Sequence, residues 1–158
     1  SIMISPGKAA NTARRAETQA QVTVVPCGPN RGLAGIKLTG VAGSASGEYF
    51  VPFGVSADAS AREYAYAGLT VAIDRLRALK VDRALVVVDD EELVEELERR
   101  AEPPAELSLQ YIILGCKLNE FRRAKVVASK SSRMEQLRAK TQNLAATIYN
   151  GPLLASAM

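Results

Sequence analysis

The sequence has 158 residues, which suits a single domain large enough to bury a core without disulfides or structural metal ions. Its 47% hydrophobic and 23% charged residues are typical of a globular protein, and no apolar run is long enough to predict a membrane span. The sequence contains no histidine, which excludes His-containing catalytic triads and most zinc sites, so any catalysis would depend on carboxylates.

The first twenty residues differ in composition from the rest of the chain. Three cations, Lys8, Arg14 and Arg15, precede the first acid at Glu17, and the segment shows no sustained hydrophobic periodicity. We therefore expect residues 1–20 to form a flexible arm. An acid-poor leader of this kind is also typical of organellar targeting segments. It predicts a mitochondrial or other organellar location, with the cytoplasm as the alternative.

Three short β segments follow the arm, at residues 21–25, 33–43 and 48–56. They are rich in β-branched, aromatic and other apolar residues, and clusters of Gly, Pro, Asn and Ser separate them. Because the connections are short, we expect three antiparallel strands.

A helix and a buried strand come next. Asp58 or Ser60 can cap a helix that continues to Lys80, since apolar residues recur there at helical spacing. The continuous apolar run Ala84–Val88 is typical of a parallel strand buried on both faces, and it ends at Asp89-Asp90.

The last part of the chain alternates between helices and one strand. Residues 91–100 predict a helix with acids in its first turn, and residues 107–121 predict a second helix after the break EPPAE. Its apolar positions include Leu109, Ile112, Ile113, Cys116 and Leu118. AKVVAS predicts a strand, and residues 134–149 predict a final helix that ends at Asn150-Gly151. The folded domain is thus expected over residues 21–149, with 150–158 as a tail.

The chain contains two blocks of opposite charge. Eight acidic residues lie between Asp89 and Glu102, and eight basic residues lie between Lys117 and Lys140. The basic block could meet nucleic acid or another acidic partner, and a solvated charged face would show the same pattern. The predicted nucleic-acid-binding residues are Arg122, Arg123, Lys125, Lys130, Arg133, Arg138 and Lys140.

Three motifs, taken together, resemble the ribonuclease H family. GPNRGLAGIKL is similar to the turn between the family's first two strands, and REYAYAGL is similar to its first helix, with ALVVVDD as the strand that follows. TQNLA is similar to the Ala-Asp-x-Leu-Ala sequence of the closing helix. The resemblance covers about residues 21–149. It implies an α/β, ribonuclease H-like fold with a five-stranded mixed sheet, three antiparallel strands followed by parallel strands, flanked by helices.

The family's chemistry requires four carboxylates that hold two Mg²⁺ ions beside the ends of the central strands. The resemblance implies that Glu63 matches the helix acid and that Asp90 matches the acid after the strand, with Asp89 as the alternative. It also implies that Cys27 and Gln142 stand where the other two acids belong. A thiol is a poor ligand for Mg²⁺, and an amide lacks the negative charge.

With half of the acids missing, we predict a protein that is not an active enzyme and holds no metal ion. Glu63 and Asp90 would be vestigial ligands, and Mg²⁺ would be a cofactor only if activity were retained. A helix acid in the first turn and a helix N-cap are the alternative roles for these two residues.

The predicted function is therefore a scaffold subunit of a larger assembly, such as a mitochondrial ribosome or another RNA-containing complex. Its partners would be protein subunits and structural RNA. One alternative is a free-standing protein that binds RNA or an RNA-DNA hybrid by shape. The other is a metal-dependent ribonuclease H that uses Asp89, Asp90 and Glu63 as substitute ligands.

Overall fold

A five-stranded mixed sheet forms the centre of the molecule. The computed structural model describes residues 17–40 and 47–157, with side chains described up to residue 150. The strands of this part are β1 (Thr18–Pro26), β2 (Arg31–Thr39), β3 (Gly47–Gly54), β4 (Arg83–Val88) and β5 (Arg123–Ala128). They lie in the order β3-β2-β1-β4-β5. β1, β2 and β3 pair antiparallel, whereas β4 pairs parallel with both β1 and β5, which confirms the predicted mixed sheet.

Four α-helices accompany the sheet in the described chain. They are α1 (Ala61–Ala78), α2 (Glu91–Leu97), α3 (Ser108–Asn119) and α4 (Ser132–Ala157), with a 3₁₀ turn at Ala105–Leu107. Of the two predicted caps for α1, Ser60 is the one used, since its hydroxyl accepts a hydrogen bond of 3.1 Å from the Glu63 amide. No described helix is long and apolar enough to cross a membrane.

Several predicted boundaries differ from the structure, and three of the differences are informative. Residues 18–20 belong to β1 rather than to the arm, whose residues 1–16 lie outside the described chain. α2 ends at Leu97 because Arg99 adopts a left-handed backbone conformation with φ of 63°. α4 continues beyond Asn150-Gly151 to Ala157, so the predicted tail is largely helical. An Asn-Gly pair permits a helix to stop there but does not force it to.

The helices cover the two faces of the sheet. α1 and α3 pack on one face over the main core, which includes Tyr66, Leu69, Ile73, Leu76 and Leu114. α4 packs on the other face over two smaller clusters. Along β1, alternate side chains therefore meet different helices, with Val24 against α1 and Val25 in the cluster beneath α4.

Most of the apolar positions noted on α3 face solvent rather than the core. Leu109 and Ile112 are 65% and 57% exposed, and Ile113 is also exposed, whereas Leu114 is fully buried. Both sides of this helix carry apolar residues, so helical spacing alone does not identify the side that faces the core.

Candidate functional site

A cleft of about 830 Å³ lies beside the carboxyl ends of β1 and β4. Its floor is apolar and includes Val22, Val24, Leu69 and Val88. The start of α2 and the first turns of α4 provide charged side chains around it. Clefts at the carboxyl ends of parallel strands are common binding sites in α/β proteins. The cleft is therefore the candidate functional site.

The register of β1 and β4 identifies the residue that faces Asp90. The last paired residues are Val22 and Val88, so the next positions place Thr23 beside Asp89 and Val24 beside Asp90. The hydroxyl of Thr23 donates a hydrogen bond of 2.9 Å to Asp89, which agrees with this register. An apolar side chain thus stands on the strand position beside Asp90.

Cys27 is not at this position. Its thiol points to the opposite face of the sheet, where it is buried and donates a hydrogen bond of 3.4 Å to the carbonyl oxygen of Ala145 in α4. β1 continues through Pro26, so counting back from the glycine of the turn selects a residue beyond the cleft. The register between β1 and β4 places Val24, and not Cys27, on the strand position beside Asp90. The sequence alone does not reveal this register.

Glu63 lies in the first turn of α1, as predicted, but its carboxylate is engaged elsewhere. It accepts hydrogen bonds of 3.0 Å from the Ser56 amide and 2.9 Å from the Ser56 hydroxyl. It does not belong to the lining of the cleft. Glu63 therefore fastens the segment between β3 and α1 to the helix.

Asp90 lines the cleft and has two structural partners. Its side chain caps α2 by accepting a hydrogen bond of 3.0 Å from the Leu93 amide. It also forms an ion pair of 3.2 Å with Nη1 of Arg62. The predicted alternative role as a helix N-cap is thus confirmed, and the arginine partner was not foreseen.

Arg62 connects Asp90 to a carboxylate in the core. Its Nη2 donates to Glu96, which is only 3% exposed, and the Tyr66 hydroxyl donates to the same oxygen at 2.6 Å. Nη1 also lies 3.6 Å from Glu92. One guanidinium therefore serves three carboxylates, two of them on α2 and one at its N-cap. We call Arg62, Tyr66, Asp90 and Glu96 the Arg62 network.

Burial and charge shift two ionisation equilibria in this network. Burial would lower the pKa of Arg62, but the hydrogen bond to Glu96 and the nearby carboxylates raise it above its usual value. Burial, together with the hydrogen bond to Glu96, raises the pKa of Tyr66 far above its ordinary value. Arg62 thus stays cationic and Tyr66 stays a neutral donor at physiological pH.

Asp89 points away from Asp90, although the two residues are adjacent. It accepts the hydrogen bond from Thr23 and lies 3.4 Å from Nη1 of Arg138 in α4. Arg138 also donates to the carbonyl oxygen of Val24 at 3.2 Å. Each aspartate is therefore paired with its own arginine.

α4 brings Glu135 and Arg138 to the cleft, and not Gln142. Gln142 is exposed and lies about two helical turns beyond Glu135. The motif TQNLA placed the fourth position too far along the helix. Glu135 was not predicted as a residue of the cleft because it is one acid within a strongly basic stretch. The structure identifies it by placing the first turns of α4 beside the cleft.

The residues present do not fit a pair of Mg²⁺ ions. No group of three or more acidic or thiol side chains among the described residues could hold a metal ion. Val24 offers no ligand, Glu63 is bound to Ser56, and Asp90 already has a cationic partner. Hard divalent cations need several oxygen ligands, and this arrangement does not provide them.

The predicted basic tract does not form one continuous surface. Arg122, Arg123 and Lys125 are exposed at the edge strand β5, and the first two lie at the end of the sheet opposite the cleft. Lys130 and Arg138 line the cleft, and exposed Arg133 lies on the first turn of α4. Lys140 binds Glu48 of β3.

Comparisons with known proteins give structural matches only. No family model matches the chain, and no curated protein matches its sequence. The N-terminal RNase H domain of a Mycobacterium tuberculosis protein is 17% identical, with a TM-score of 0.60 over 90% of this chain and 99% of that one.

An RNase H1 isolated from compost gives a similar result. It is 14% identical, with a TM-score of 0.64 over 81% of this chain and 94% of that one. Its complex with an RNA/DNA hybrid is 15% identical, with a TM-score of 0.57 over 76% of this chain and 92% of that one. Such identities establish the fold alone. The strand order and these structural matches together show that the chain has the ribonuclease H-like fold.

Proposed function

We propose that this chain is a catalytically inactive ribonuclease H-like domain that serves as a binding module within a larger assembly. The main support for the proposal is that a cationic and an apolar side chain of the chain itself lie around Asp90, where metal-binding carboxylates would be needed. A guanidinium pairs with this carboxylate at 3.2 Å, and Val24 provides an apolar side chain on the neighbouring strand. Two-metal hydrolysis requires clustered anionic ligands at this place.

Retention of the cleft without its ligands supports a binding role. The cleft keeps an apolar floor and a charged rim, although no described set of side chains could hold a metal ion. Such a surface can recognise a partner without chemistry. The basic residues at β5 would suit structural RNA, and the acid-poor leader favours an organellar assembly such as a mitochondrial ribosome. Protein subunits would then cover the remaining surface.

Cleavage of an RNA/DNA hybrid by the purified chain tests the proposal. We expect no cleavage above background with Mg²⁺ or Mn²⁺, because the carboxylates do not converge. Asp90→Asn and Glu63→Gln should give the same background as the unmodified chain. Metal-dependent cleavage that either substitution abolishes would contradict the proposal and favour a nuclease with substitute ligands.

A second candidate function is nucleic-acid binding without a larger assembly. Arg122, Arg123, Lys125, Lys130 and Arg133 are exposed and make no ion pair with other described residues. Unpaired cations are available for phosphate contacts. Binding of a hybrid or duplex RNA by the isolated chain, with strong salt dependence, would favour this candidate.

A further inference from the structure

We infer that the cleft binds a cationic peptide segment with aliphatic side chains, supplied by a partner protein. The inference rests on the proposed binding role and names the chemistry of the partner. It depends on three features of the described residues: an apolar floor, an excess of carboxylates around it, and a second hollow on the far side of α2.

The floor of the cleft suits aliphatic side chains. Val22, Val24, Leu69 and Val88 line it without a polar atom in their side chains. The volume of about 830 Å³ lies in the range of ordinary ligand sites. Removing aliphatic groups from water onto such a surface is favourable, at roughly 25 cal/mol per Å² buried.

The charge around the floor is negative, although the whole chain carries a net charge of +3. Six acidic residues line the cleft against Lys130 and Arg138, and Arg62 adds one more cation through Asp90. The cleft thus keeps an excess of three negative charges. A polyanion would be repelled there, whereas a cationic partner would be attracted. The six acids are Asp89, Asp90, Glu91, Glu92, Glu95 and Glu135.

Several of these carboxylates are available to a partner. Asp89 and Asp90 are held by arginines, but Glu91, Glu95 and Glu135 are exposed and form no ion pair within the described chain. Glu91 and Glu95 are four residues apart on α2, so their side chains lie on one side of the helix. They form a row of acceptors along the edge of the cleft.

A second hollow extends this row beyond the cleft. It has a volume of about 280 Å³, shares Glu91 and Glu95 with the cleft, and reaches Val127 and Ala128 of β5. The second hollow is lined by Glu98 and Arg100 as well as by aliphatic side chains. Two hollows on either side of one carboxylate row suit an extended segment with cations between aliphatic residues. A single small cation would make no contact with the aliphatic side chains of either hollow.

Fluorescence anisotropy with a defined peptide tests the inference. The probe is a labelled synthetic peptide of alternating Leu and Lys, and its charge control alternates Leu and Glu. Using the full chain, we expect the Leu-Lys peptide to bind and the control not to bind. Glu91→Gln together with Glu95→Gln should weaken binding about tenfold, as expected for two partly exposed charge contacts.

A matched pair of substitutions separates the cleft from general charge attraction. Glu102 and Glu106 are also exposed acids, but they line neither hollow. Glu102→Gln with Glu106→Gln should change the affinity less than twofold, as roughly expected for distant, screened charges. Equal weakening by both pairs would overturn the inference, as would displacement of the peptide by an RNA/DNA hybrid that occupies the cleft.

The result also separates this inference from the proposed function. If the peptide does not bind and hybrid cleavage is absent, the peptide site is wrong while the inactive binding role stands. If metal-dependent cleavage appears, the proposed function itself fails.

Discussion

Arg62 is the residue on which the candidate site depends most. It neutralises Glu96, which is almost completely buried, and it pairs with Asp90 at the edge of the cleft. Removing one partner from a buried ion pair is costly, because the other charge remains in a poorly solvated place. Arg62 therefore controls both the charge of the cleft and the stability of the packing between α1 and α2.

Arg62→Met should lower the free energy of unfolding by about 3 kcal/mol, since it leaves Glu96 without a counter-charge. Urea denaturation followed by circular dichroism measures this loss. In the double variant Arg62→Met with Glu96→Gln, the neutral amide can still accept from Tyr66, so at least half of the loss should be recovered. No recovery would mean that Glu96 is not the reason for the cost.

Tyr66 makes stability depend on alkaline pH. Its pKa is raised in the folded protein, while in the unfolded chain it is about 10. The folded state therefore holds its proton more tightly. The resulting contribution of Tyr66 to the free energy of unfolding is complete below about pH 10. It is lost as the pH rises toward the pKa of Tyr66 in the folded protein. Between about pH 10 and 11.5, we expect the unmodified chain to lose stability more steeply than Tyr66→Phe.

Urea denaturation at a series of pH values measures this difference between the two proteins. The other tyrosines and the lysines titrate in both, so their effects cancel in the comparison. Parallel stability curves would show that Tyr66 is not held in its neutral form by the fold.

Glu63 and Asp90 were predicted from the sequence, but their partners were not. The family resemblance located both carboxylates from nearby motifs. The sequence did not show that Arg62, one residue before Glu63, turns toward Asp90, because that depends on how α1 packs beside α2. Nor did it identify Val24, since the position of an acid on β1 depends on the register with β4.

At the level of elements, α4 packs closely against β2. A β-carbon on Gly35 would overlap the Thr141 hydroxyl, which donates to the Leu137 carbonyl oxygen within α4 at 2.7 Å. The glycine thus allows a close approach between the strand and the helix. It also fixes which part of α4 lies over β2, and so where Glu135 and Arg138 reach the cleft.

Gly35→Ala should destabilise the protein by about 2 kcal/mol through overpacking. Thermal or urea unfolding measures the effect. Adding Thr141→Ala removes the overlapping side chain and should restore most of the stability, whereas Thr141→Ala alone serves as the control. If Gly35→Ala is neutral, the helix can move away from the sheet without cost.

The elements themselves were largely predictable, because their hydrophobic patterns are strong. The five strands and four helices of the described residues lie close to the predicted segments. The failures have local causes. Arg99 ends α2 early by adopting a left-handed conformation. Non-glycine residues rarely adopt this conformation, so the sequence did not predict it. The inner face of α3 could not be identified from the sequence because exposed Leu109 and Ile112, like buried Leu114, are apolar.

Across the whole molecule, charges of opposite sign lie in different places. The rim of the cleft is acidic, while Arg122 directly precedes the exposed edge strand β5, which contains Arg123 and Lys125. Cations on an edge strand also discourage pairing with a strand from another molecule. Any nucleic acid is therefore expected at β5 rather than in the cleft.

Replacing Arg122, Arg123 and Lys125 by Gln should weaken binding of an RNA/DNA hybrid and reduce its salt dependence. Each lost phosphate contact should lower the slope of log affinity against log salt by about 1. Anisotropy titrations at several salt concentrations measure the slope. The Glu91→Gln, Glu95→Gln variant should leave it unchanged. Tighter binding by that variant, from which two repelling carboxylates are removed, would place the nucleic acid at the cleft.

The Arg62 network also limits the order in which this sequence can change. Replacing Arg62 alone leaves Glu96 charged in the core, and replacing Glu96 alone leaves the guanidinium without its most buried partner. A new acid at position 24 would lie beside Asp90 on the neighbouring strand, but Asp90 would still be paired with Arg62. Each separate step toward metal binding is therefore either destabilising or without effect. Several coordinated substitutions would therefore be needed to free Asp90 for a metal ion without loss of stability.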